Sequence, residues 1–253
     1  MHNALYRIGR PRSTADIAGL WQQVFADSEA FLVDYFGRLY NPDLSPCIYT
    51  GSRLDASLQL IPFRLCAGGR TLDVLYVYAV MTRPEARGRG MMRSLLDWAH
   101  QAAQRRRCAG TLLVAADAQL ASAYEHRGYI RAMHLTHARI DSLQGLDDVS
   151  FCAGHRMALA DVLTQRSRQS GGLIHNKLQF EFALDSLLRD GWQLLTDHAD
   201  HYAVVNPRSL LVADAVGISV RPHATGQVPM FRALPGAQLG AMADAPLSMV
   251  LEL

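Results

Sequence analysis

Arginine and glycine are interleaved in one short stretch of this chain, Arg83-Pro84-Glu85-Ala86-Arg87-Gly88-Arg89-Gly90-Met91-Met92-Arg93. Glycine lets the backbone take positive φ and lets a ligand approach closely, while the first free N–H groups of a following helix, with its dipole, favour an anion. Met92, Leu95, Leu96, Ala99 and Ala103 fall at helical spacing directly afterwards, and Arg105-Arg106-Arg107 suits the negative end of that helix. A diphosphate is the natural guest of such a turn. Spacing excludes the other phosphate patterns: Arg93 stands where the dinucleotide fingerprint needs its third glycine, and no G-x-x-x-x-G-K-[ST] occurs. Asp197-His198-Ala199-Asp200-His201 has residue types that could hold a metal, but it falls between two apolar runs where a polar turn is expected. Cys47, Cys66, Cys108 and Cys152 are scattered without a C-x-x-C pair and read as reduced packing thiols.

The elements that must position the turn are legible on both sides of it. Ser13 with Asp16 forms a capping signal for a helix striped by Ile17, Leu20, Trp21, Val24 and Phe25. A second helix follows Asp27-Ser28, carries Phe31, Leu32, Tyr35, Phe36, Leu39 and Tyr40, and stops at Asn41-Pro42. The period then shortens. Residues 47–50 read as a short strand, and Leu58, Leu60, Phe63 and Leu65 mark a longer one in which Pro62 requires a bulge or a sheet edge. Residues 72–82, rich in valine and tyrosine, form a central strand that ends at Arg83-Pro84. Beyond the arginine-glycine turn and its helix, residues 110–115 are a buried strand and 118–126 a short helix.

Arg87, Gly88, Arg89, Gly90 and Met91 resemble the R-x-x-G-x-[GA] turn of the GNAT superfamily of N-acetyltransferases. Met92 departs from the final small residue, a departure that looks like the Eis branch of that superfamily. Ala121-Ser122-Ala123-Tyr124-Glu125-His126-Arg127-Gly128-Tyr129 resembles the A-x-x-[FY]-Y-E-x-x-G-F signature that follows the fifth strand of the same proteins. The resemblance covers residues 10–140 and implies an α/β fold, layered as α+β, with a mixed central sheet. It implies acetyl-CoA as co-substrate without a metal, an amine acceptor, and a backbone cleft that takes the pantetheine arm like an added strand. Ala79, Val80 and Met81 would then supply the groups lining that cleft, and the amides of residues 87–92 would hold the pyrophosphate, with charge from Arg83, Arg87, Arg89 or Arg93. A backbone N–H near Val80 would polarise the thioester carbonyl, and Tyr124 would protonate the departing thiolate. A phenol of ordinary pKa about 10 is a protonated donor toward a thiol of about 8.5. For the base, Asp73, Asp117, His126, water and the terminal carboxylate of Leu253 remain open, the last by resemblance to Eis-like enzymes; a plain closing strand is the other reading of Leu253. A catalytically silent acyl-CoA-binding or sensing protein is the alternative function.

Residues 141–150 form a polar connection, so the expected organisation is a GNAT acetyl-CoA-binding domain over 1–145 and a degenerate GNAT-like or accessory α/β domain over 146–253. In the second part, helices at 154–169 and around Phe180, Leu184, Leu187 and Leu188 precede three strands, repeating the start of the first part without its arginine-glycine turn. The 253 residues are 49% hydrophobic and 19% charged, ordinary values for a globular chain with a sizeable core, and they exclude a disordered or fibrous protein. A net charge of +2, with Lys177 as the single lysine, does not advertise a nucleic-acid partner. No apolar run approaches the ~20 residues of a membrane span, and the opening residues carry no secretory core, so the expected address is the cytoplasm without a membrane partner.

Overall fold

The computed structural model describes residues 6–131, 134–135, 137–197, 201–223, 227–235 and 246–247. In chain order its first elements are β1 (Ile8–Gly9), α1 (Thr14–Val24), α2 (Glu29–Arg38), β2 (Cys47–Thr50), β3 (Arg53–Ala67), β4 (Arg70–Thr82), α3 (Met91–Arg105), β5 (Gly110–Ala115), α4 (Ala118–Glu125), β6 (Ile130–Arg131), β7 (His134–Leu135) and β8 (His137–Arg139). They are followed by β9 (Asp147–Asp148), α5 (Ala153–Ser170), β10 (Gly172–Ile174), α6 (Lys177–Arg189), β11 (Gln193–Thr196), β12 (Tyr202–Asn206), β13 (Leu211–Val216), β14 (Arg221–His223), β15 (Val228–Ala233) and β16 (Pro246–Leu247).

The helix starts are set by side-chain caps. Ser13 Oγ accepts from the Asp16 N–H at 3.1 Å, Ser28 Oγ from Phe31 at 3.2 Å and Asp117 Oδ1 from Leu120 at 2.8 Å. At α6 a full capping box closes between Asn176 and Gln179. Two helices start without a side-chain cap: α5, whose N-cap is Cys152, and α3, whose N-cap is Gly90 in the left-handed region.

The main sheet runs β1-β2-β3-β4-β5-β15-β6, with β10 also paired to β3. All its pairs are antiparallel except β4 with β5, so the sheet is mixed. Trp21, Tyr35, Phe63 and Tyr76 form the core between α1, α2 and one sheet face; Leu58, Leu75, Leu95, Leu96 and Tyr129 form the core under α3 and α4 on the other. Pro62 behaves as its ring demands: on the β2 side of β3, strand pairing ends at Ser57 and resumes with β10 only at Arg64, so the missing N–H breaks no ladder bond.

A second sheet, β14-β8-β13-β12-β11-β9, carries the meander expected after α6. Strands from both sides of residue 145 enter the main sheet, because β10 pairs with β3 and β15 with β5. Phe182 of α6 also packs edge to face on Phe31 of α2, with ring centroids 5.4 Å apart. Among the described residues no helix is long and apolar enough to cross a membrane.

Candidate functional site

The site begins where two parallel strands part. β4 and β5 pair only over Val74–Tyr76 and Gly110–Leu112, and beyond that point no ladder joins them. On its other side β4 stays bound to β3, but its register slips between Ser57 and Gln59, so Ala79 and Val80 together face Leu58. Ala79 takes φ +46°, a left-handed value uncommon for a side-chain-bearing residue, and the bulge turns the strand away from β5. A cavity of about 450 Å³ opens in the gap, with Ala79 and Val80 on one wall, Leu113, Val114 and Ala116 on the other, and Tyr124 of α4 between them.

The arginine-glycine turn lies immediately after β4. Gly88 and Gly90 take φ +75° and +79°, and a Cβ at either would meet nothing within 4 Å, so the space above both backbones is open. Arg87, Gly88, Arg89 and Gly90 are exposed, while Met91 is buried and Met92 half-buried in the core beneath α3. With no acidic residue in the first turn of α3 and no side-chain cap, its leading N–H groups face that open space as anion donors. Tyr6 braces the turn, its hydroxyl donating to the Arg89 carbonyl at 2.7 Å. The donor set and the open backbone fit a pyrophosphate. Arg83 is engaged elsewhere: its N–H donates to Asp55 O, its Nε to Leu54 O at 2.7 Å and its Nη1 to Gln23. Among the described residues, Arg87 and Arg93 make only long contacts, to Thr82 O at 3.3 Å and to Asp97 at 3.9 Å.

Tyr124 is 6% exposed and stacks edge to face on Tyr129 at 5.8 Å. Burial pushes its phenol above the usual value, against the lowering effect of Arg127. Its hydroxyl has no hydrogen-bond partner among the described residues. The sequence-level base candidates do not line the cleft. Asp117 caps α4, the His126 Nδ1 lies 2.7 Å from Ser122 O, and Asp73 borders a separate cavity of about 280 Å³ with Arg106 and Cys108. Leu253 lies outside the described residues, as do residues 198–200 of the acid-histidine turn; its ends, Asp197 and His201, pair with each other at 2.8 Å. No group of three potential metal ligands occurs among the described residues.

Asp27 is the site residue that sequence reasoning misses, reading it only as the start of α2. It sits on the cleft wall beside Trp21, Phe25 and Tyr78, and its Oδ2 accepts from Trp21 Nε1 at 2.7 Å. Its other oxygen has no partner among the described residues. The signal that could have found it is its place in the loop closing onto the tip of β4, which only the fold supplies.

The family model described as an acetyltransferase (GNAT) domain matches residues 6–132. Among solved structures, the chain is similar to a GCN5-related N-acetyltransferase from Anabaena variabilis, with TM-score 0.67 at 18% identity over 90% of this chain and 73% of that one. It is also similar to a GCN5-related N-acetyltransferase from Kribbella flavida, with TM-score 0.62 at 18% identity over 84% of this chain and 58% of that one. Eis1 from Mycobacterium abscessus gives TM-score 0.60 at 16% identity over 85% of this chain and 59% of that one. The chain thus spans less than two thirds of the length of the last two. No curated protein matches it.

Proposed function

The chain belongs to the acetyltransferase (GNAT) family, and on that premise we propose that it moves an acetyl group from acetyl-CoA to an amine by direct attack within a ternary complex. The observation that carries this reading is the parting of β4 from β5 beside an uncapped helix N-terminus, with Tyr124 in the gap. Ala79, Val80 and Met81 would bond the pantetheine arm through backbone groups on the side facing β5. Residues 87–92, Arg87, Gly88, Arg89, Gly90, Met91 and Met92, would hold the pyrophosphate on their amides, with added charge from the neighbouring guanidinium groups.

When bound, acetyl-CoA supplies a thioester carbon that accepts an amine lone pair and a thiolate that departs. A backbone N–H near Val80 stabilises the charge that gathers on the carbonyl oxygen. Tyr124 gives its proton to the sulfur as the C–S bond breaks, and regains one from solvent; the attacking nitrogen sheds its proton to water. Residues 146–253 contain no counterpart of the arginine-glycine turn with which to hold a second coenzyme, and among the described residues only Gln227 of that part lines the cleft.

Thiol release from acetyl-CoA on adding primary amines tests the proposal. Amine-dependent release with stoichiometric amide formation is expected. Coenzyme binding without release for any amine would identify a binding or sensing protein instead.

A further inference from the structure

The arginine-glycine turn has little backbone support of its own. Among the described residues, the backbone of Gly88 and Arg89 makes one hydrogen bond, the 2.7 Å contact in which the Tyr6 hydroxyl donates to the Arg89 carbonyl oxygen across 83 residues of chain. Tyr6 is half-buried, and it packs with Ile8 against the core beneath α3. The strand that follows it, β1, is tied to β2 by the pairs Ile8 with Ile48 and Gly9 with Cys47. The hydroxyl is therefore presented from an anchored strand. Among the described residues no peptide bond is cis, and in a trans peptide the C=O and the N–H point in opposite directions. An Arg89 oxygen held toward Tyr6 thus turns the Gly90 N–H away from Tyr6 and the core it packs on, as a donor to an anion above the turn.

Resting on the acetyltransferase reading, we propose that Tyr6 is a positioning residue for the coenzyme: its hydroxyl holds the Arg89–Gly90 peptide with the N–H toward the pyrophosphate. Without that hydroxyl the peptide is free to turn over, because glycine takes positive and negative φ about equally well and Gly90 stands at φ +79°. The reversed peptide presents a carbonyl oxygen to the anion and repels it. Apparent affinity then falls with the fraction of molecules that keep the competent orientation. Tyr124 and the walls of the gap between β4 and β5 are untouched by the change, so the breaking of the C–S bond keeps its rate once the coenzyme is bound.

Tyr6→Phe keeps the ring on the core and removes only the hydroxyl. Its Tm without ligand should stay within about 2 °C of the wild-type value, as for the loss of one half-exposed hydrogen bond. Calorimetric titration with acetyl-CoA should give a Kd raised about five- to tenfold, the factor that accompanies one hydrogen bond. In the thiol-release assay, KM for acetyl-CoA should rise by the same factor while kcat changes by less than about twofold. In the unliganded proteins, NMR relaxation dispersion at the Gly90 amide should be flat for the wild type and appear in the variant, as the peptide exchanges between its two orientations. A Kd within twofold of the wild-type value overturns the positioning role alone, and so does weaker binding that comes with a large fall in Tm. Weaker binding with flat dispersion would make the hydroxyl a direct contact of the coenzyme, which also overturns it. Failure of the wild-type protein to bind acetyl-CoA overturns the acetyltransferase reading as well.

Discussion

Tyr124 carries the sharpest consequence of the proposed chemistry. Phenylalanine fills the same space against Tyr129 but has no proton to give, so Tyr124→Phe should lower kcat by roughly 10²- to 10⁴-fold while acetyl-CoA affinity stays within about twofold. Steady-state kinetics beside a binding titration would separate the two; loss of affinity would make Tyr124 structural. A general acid acts while protonated and is lost as pH rises through its pKa. Because burial moves the Tyr124 value above its ordinary one, kcat should show no alkaline decline below about pH 10. Tyr124 is legible in the sequence because its neighbours Glu125 and Gly128 form a local pattern. Asp27 is not, because its role comes from the folding of the α1–α2 loop over β4, and nothing in its own neighbours records that approach.

At the level of elements, what can be read in advance is what is locally determined. The helices α1 to α4, the turn between β4 and α3, and the end of β4 at Arg83-Pro84 follow from capping residues, apolar period and proline sterics. The pairing of β10 is not readable in this way: Gly172–Ile174 is too short to show a period, and its place on β3 is set by the docking of α5 and α6. His175 closes that docking. Its ring stands edge on to Phe63 at 5.5 Å, its Nε2 is buried without a described partner, and burial pulls its pKa down to about 4. The folded value lies below the unfolded ~6.5, so this contribution is fully present above about pH 6.5 and is lost as pH falls toward 4. The loss should reach about 1–3 kcal/mol. Thermal denaturation from pH 7 to 4 should therefore show a smaller acid-induced drop in His175→Gln than in the wild-type protein; equal drops would contradict the assignment.

For the molecule as a whole, the two parts of the chain share one sheet. Gly110 in β5 shows how closely: a Cβ there would sit 2.3 Å from the Arg232 carbonyl oxygen and 2.6 Å from the Phe231 ring. Gly110→Ala must push β15 off β5 and should cost about 1–3 kcal/mol, lowering Tm by roughly 3–10 °C. An unchanged Tm would mean that β15 does not hold the sheet. This pairing escapes sequence reading because Val228–Ala233 meets β5 across more than a hundred residues of chain, and the polar stretch 141–150 gives no sign that the chain returns. The coenzyme should stabilise the same unit. At a hundredfold excess over Kd, acetyl-CoA contributes about 2.7 kcal/mol to a protein that binds it only when folded. The central measurement is the Tm of the wild-type protein and of Gly90→Val with and without acetyl-CoA. Valine at φ +79° is strained and fills the open space over the turn, so the wild-type protein should show the shift and the folded variant none. An equal shift in both, or none in the wild-type protein, would contradict a coenzyme held on this turn.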